Sequence, residues 1–76
     1  MAEDLKEKLR EIVAEVAEID EVPDDAPFKD LGIDSMMAIE IIAEVERTYR
    51  IKVPEEELER IVDLNSVVAL AQSKLD

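Results

Sequence analysis

The residues that interrupt helices fall at two places in this chain: Pro23, Pro27 and Gly32 lie close together, and Pro54 stands alone. The segments they leave carry apolar residues at helical spacing, so the chain is expected to fold as helices with a long first connection. From Ala2 to Ile19, the residues Leu5, Leu9, Ile12, Val13, Val16 and Ile19 recur at intervals of four, three, one, three and three, which is one stripe of an α-helix. A second helix is predicted from Ser35 to Tyr49, with Met36, Ile39, Ile42, Ala43 and Glu46 along one side and Ile41 and Val45 widening the apolar arc. Asp34 stands where an N-cap belongs, and Gly32 can take the positive φ of a sharp entry. Val53-Pro54-Glu55-Glu56-Glu57 reads as the start of a short third helix, with Pro54 at the first helical position and carboxylates at the positive end of the dipole. A fourth helix is predicted from Leu64 to Lys74, capped by Asp63 and closed by Leu75. The expected fold class is all-α, a four-helix bundle with a long first loop and a short third helix, in a single domain over residues 1–76. Asp20 to Asp34 is long for a bundle connection. Such loops are often functional, and Val22, Ala26, Phe28, Leu31 and Ile33 should hold this one against the core.

Composition removes whole classes of chemistry. The 76 residues include 21 acidic and 9 basic side chains, a net charge of −12, with no Cys, His or Trp. A disulfide framework, a zinc finger, a thiolate nucleophile and a Ser-His-Asp triad are therefore all excluded. So strong a negative charge repels nucleic acid and anionic lipid. The apolar runs are too short for stable membrane insertion. A chain this small has no room to enclose an enzymatic pocket and shows no acid–base pair, so it is expected not to be an enzyme. Neither Asp20 nor Asp30 opens a calcium loop, because Val22 and Gly32 stand where the second ligand belongs. No metal site is expected beyond weak binding of divalent ions by carboxylates. The expectation is a cytoplasmic monomer, and the Met1 start favours a free protein.

Phe28-Lys29-Asp30-Leu31-Gly32-Ile33-Asp34-Ser35-Met36 is the most informative run. It sets a small hydroxyl in the first turn of a helix, where free N–H groups and the dipole favour a phosphate-bearing group. Asp34-Ser35 on its own reads as a cap and a first-turn residue. No His, and no Lys at useful spacing, activates Ser35, so any chemistry there needs another enzyme. With Glu40, Glu46, Tyr49 and Ile51-Lys52-Val53-Pro54-Glu55-Glu56 downstream, the sequence resembles the acyl carrier protein family over nearly its whole length. The resemblance implies a 4′-phosphopantetheine arm, transferred from coenzyme A to Ser35 by a phosphopantetheinyl transferase. The arm's thiol would hold acyl groups as thioesters for fatty-acid or specialised lipid or polyketide biosynthesis. Asp34 and Gly32 would belong to the cofactor site.

The resemblance also implies that acyl-loading, condensing and acyl-transferring enzymes dock on Met36, Met37, Ile39, Glu40, Val53 and Glu55. By default Leu5, Ile12, Val16, Ile39, Ile42, Val45, Ile61, Val68 and Leu70 form the core, so Ile39 stands in both sets. In this family such residues can also part to shelter an acyl chain. Of the two adjacent methionines, one is expected to face the core. Ser35 to Arg50 carries a net charge of only −1, and Arg47 and Arg50 sit where relatives commonly keep carboxylates or neutral residues. That departure points away from a general fatty-acid carrier toward a dedicated pathway. An aminoacyl or peptidyl carrier and an unmodified acidic interaction module are the alternatives.

Overall fold

The computed structural model describes residues 2–75, which form α1 (Ala2–Ala17), α2 (Ser35–Tyr49) and α3 (Leu64–Leu75), with short 3-10 helices at Phe28–Leu31 and Glu55–Arg60. Helix α1 packs against both α2 and α3. The buried core runs from Leu5, Leu9, Ile12 and Val13 of α1, through Ile41, Ile42 and Val45 of α2, to Leu64, Val67 and Ala71 of α3. Val22, Phe28 and Ile33 fix the long loop into it, as the apolar anchors of that segment predict. No described helix is long and apolar enough to cross a membrane.

The two long helices end without glycine. Glu18 and Arg50 adopt left-handed φ values of 56°, and the next residue in each case reaches back, Ile19 N–H to the Ala14 carbonyl (3.1 Å) and Ile51 N–H to the Glu46 carbonyl (3.2 Å). This is the six-to-one closure of a Schellman motif, with Ile19 and Ile51 supplying the accompanying apolar contact. Helix α1 therefore stops at Ala17, two residues short of the Ile19 boundary predicted from its periodicity.

The third helix is a 3-10 helix over Glu55–Arg60, and Pro54 is its N-cap, not its first helical residue. None of its residues is fully buried, so nothing outweighs the repulsion of three successive carboxylates enough to lengthen it. Leu58 and Ile61 are half-buried against the core, and Lys74 of α3 holds Glu57 at 2.9 Å. Val16, Ile61, Val68 and Leu70, expected in the core, are only half-buried.

A cationic clamp secures the long loop. Lys6 and Arg10 of α1 both reach Asp24, at 3.1 and 2.5 Å, and Arg10 also donates to the Val22 carbonyl. The Asp24 carbonyl in turn accepts from Asn65 N–H at the start of α3 (3.1 Å). The hydrogen bond from Arg10, reinforced by Lys6, holds the Asp24 carboxyl below its ordinary range, and the same bond raises Arg10.

Candidate functional site

The site is built by the last seven residues of the loop. Phe28 is buried, and its N–H donates to the Val62 carbonyl (2.7 Å), tying the loop to the segment ahead of α3. Ile33 N–H returns to the Phe28 carbonyl (2.9 Å), and Gly32 makes the reversal between them at φ 81°. Buried Ile33 then sets the entry angle of α2. Asp34 is extended at φ −88° and ψ −178°, and its Oδ1 accepts from Met37 N–H at 2.9 Å. The predicted cap and the predicted positive φ are both present.

Ser35 is thereby the first residue of α2, and it is exposed. It borders two open grooves. One, of about 300 Å³, runs along Pro27, Phe28, Lys29, Ile33, Asp34, Ala38, Ile61 and Val62. The other, of about 420 Å³, runs along Ala38, Ile39, Glu55, Leu58, Glu59 and Ile61. The other two serines are engaged: Ser66 Oγ donates to the Asp63 carbonyl (2.7 Å) and accepts from Val62 and Asp63 N–H, and Ser73 Oγ donates to the Leu70 carbonyl (2.7 Å). Among the described residues the Ser35 hydroxyl makes no side-chain hydrogen bond, so it projects unencumbered from the positive end of a 15-residue helix.

Two expectations about α2 need correcting. Its buried face is Ile41, Ile42 and Val45, and Ile39, placed in the core by its spacing, is 53% exposed. Ala43 is exposed as well, so the Met36–Ile39–Ala43 side faces outward. The apolar arc of α2 is wide enough for periodicity to admit either side, and contacts with α1 decide between them. Met36 is 72% exposed, whereas Met37 is half-buried against the core. Lys29, not expected from the sequence to act as a base for Ser35, lines the same groove as Ser35. As an exposed cation it offers charge and not a place for the Ser35 proton.

The remaining candidates divide. Glu40 and Glu55 are exposed, and Glu55 lines the second groove with Ser35. Val53 is half-buried and lines neither groove. Its N–H donates to the Glu46 carboxylate (2.8 Å), which gives Glu46 a structural task in closing the α2 connection. Ala38, Leu58, Glu59 and Val62 were missed as lining residues. Of these, Val62 is the apolar residue immediately ahead of the Asp63 cap, and it is exposed.

A family profile described as "Phosphopantetheine attachment site" matches residues 7–72. The chain is 47% identical over 73 residues to polyketide-8 synthase acyl carrier protein 2 of Streptomyces avermitilis, covering 92% of this chain and 84% of that protein. It is 41% identical over 80 residues to the anthracycline acyl carrier protein DauA of a Streptomyces species, covering 99% and 95%. A third relative is the non-reducing polyketide synthase dbaI of Emericella nidulans, 39% identical over 66 residues, or 84% of this chain but 2% of that protein. The crystal structure of an acyl carrier protein from Thermotoga maritima superposes with a TM-score of 0.84 at 25% identity, covering 97% of this chain and 89% of that one.

Proposed function

The chain belongs to the acyl carrier protein family, and from that premise we propose that Ser35 bears the 4′-phosphopantetheine group and that the cargo is a polyketide intermediate. Members of this family are carriers and not catalysts, and the group is their covalent prosthetic group. When bound, it supplies the thiol that a chain without cysteine lacks, and acyl groups are held on it as thioesters.

The observation that carries the Ser35 assignment is exposure at the head of α2 between two grooves, set against the hydrogen-bonded hydroxyls of Ser66 and Ser73. The fit is chemical as well as steric. An anionic phosphodiester at Ser35 meets the first-turn N–H groups and the positive end of the helix dipole. Asp34 holds that turn in register by capping Met37 N–H. Since the chain has no histidine and no described side chain hydrogen-bonds the Ser35 hydroxyl, a phosphopantetheinyl transferase is the expected source of the base. Loading, condensing and acyl-transferring enzymes would then meet the exposed Met36, Ile39, Glu40 and Glu55 around the arm's root.

The polyketide half is supported by the relatives, which are named as polyketide and anthracycline carrier proteins or a polyketide synthase. We read residues 1–76 as one carrier domain.

Intact mass after incubation with coenzyme A, magnesium and a broad-specificity transferase tests the attachment. One phosphopantetheine is expected, lost in a helical Ser35→Ala variant. Labelling that persists in that variant refutes the site, and a folded wild type that gains no mass supports an unmodified module. For the cargo, holo-protein offered malonyl units should be extended by polyketide condensing enzymes. Extension by fatty-acid condensing enzymes alone would overturn that half.

A further inference from the structure

The two grooves that meet at Ser35 differ in charge. Of the residues that line them, Lys29 is the one cation, and it stands in the groove with Phe28, Ile33 and Val62. That groove also holds one carboxylate, Asp34, whose Oδ1 accepts from Met37 N–H, so its lining is formally neutral. The opposite groove has no cation and carries Glu55 and Glu59. A phosphodiester on Ser35 is an anion at neutral pH, so it is drawn toward Lys29 and repelled by the glutamate pair.

Val62 supplies the apolar surface on the Lys29 side, as Ile39 does on the other, so the charge contrast is what separates the two grooves. Val62 is 56% exposed, one of the few large apolar side chains left open to solvent. With Phe28 and Ile33 it offers an apolar wall beyond the cation, suited to a ligand that is anionic at its root and carbon-rich just past it. The pantetheine arm has that order of groups, its geminal methyls following the phosphate.

We propose that Lys29 is a positioning residue that steers the resting arm of the holo-protein into the Phe28–Val62 groove and away from the Glu55–Glu59 groove. This rests on Ser35 being the attachment point. The Glu55 side is thereby left clear for partner enzymes, and the arm is released when a partner's own cations compete for the phosphodiester. Both members of the pair are at the surface, so the preference weakens as salt rises.

The test uses holo-protein whose single modification is verified by mass and by its absence in Ser35→Ala, and reads NOEs from the pantetheine methyls together with the 31P shift. In wild type the methyls should contact Phe28 and Val62. In Lys29→Glu those contacts should fall by about threefold or more, the scale of a lost and reversed surface ion pair, and contacts to Leu58 and Ile39 should grow. Lys29→Arg should keep the wild-type pattern, and 0.5 M salt should mimic Lys29→Ala. Methyl contacts to Leu58 in wild type, no contacts with either groove, or a pattern indifferent to Lys29→Glu would each overturn the proposal while leaving the attachment intact. Failure of modification, or its persistence in Ser35→Ala, would instead strike the attachment reading.

Discussion

At the scale of single residues, the entry to α2 depends on two positions whose demands are local. Gly32 holds φ at 81°, a conformation that costs an L-residue roughly 1–2 kcal/mol. A Cβ built there meets nothing within 4 Å, so the penalty is conformational and not steric. Gly32→Ala should therefore lower Tm by several degrees, given about 4–8 °C per kcal/mol for a domain of this size. Gly32→Asn, which tolerates the left-handed region, should lose visibly less. Equal losses in the two thermal melts would mean that hidden packing, and not backbone geometry, fixes this glycine. Gly32 and Asp34 were legible in the sequence because the turn and the cap are decided within a few residues. Lys29 was not. Its relation to Ser35 exists only once the loop has folded back through the Ile33–Phe28 hydrogen bond, and no spacing rule contains that reversal.

At the scale of elements, α2 shows what periodicity can and cannot fix. Its limits, Ser35 and Tyr49, follow from the Asp34 cap and the apolar run, and the structure has them there. Its rotation does not follow, because apolar residues surround much of the helix and the face that docks is chosen by α1. The two faces should respond differently to truncation. Ile41 is fully buried, so Ile41→Ala should cost about 2–5 kcal/mol, enough to endanger so small a domain. Ile39→Ala, at an exposed position, should stay within about 0.5 kcal/mol. Chemical denaturation of the pair checks this; comparable losses would place Ile39 in the core after all. Helix ends were the least legible element feature. With one glycine in the chain, Glu18 and Arg50 take the left-handed stop, and only the following isoleucines mark these positions as C-termini.

For the whole molecule, a charge of −12 acts against compactness, and the few internal cations must be placed where they oppose it best. Lys6 and Arg10 are spent on Asp24, which also bonds α3 through its carbonyl, so one residue joins α1, the long loop and α3. None of this was legible, since the three side chains are ordinary surface charges until the loop crosses α1. The clamp has a defined pH signature. Because folding lowers the Asp24 pKa, chiefly through the Arg10 hydrogen bond, the folded state binds this proton less readily than the unfolded chain. Its stabilisation is therefore fully present above the unfolded carboxylate value, about 3.9, and is lost as pH falls through the lower, folded value. Wild-type Tm alone would hide this, because acid also relieves repulsion among the other carboxylates and pushes stability the opposite way. The difference in Tm between wild type and Asp24→Asn removes that shared background. It should be positive and level from pH 7 down to about 5, then shrink toward zero below the ordinary carboxylate range. A difference that is absent at neutral pH would mean the clamp is a surface pairing without mechanical effect. One that persists undiminished in strong acid would mean that the Asp24 side chain stabilises the fold by something other than its charge, since the Asn65–Asp24 backbone bond is common to both proteins and cancels.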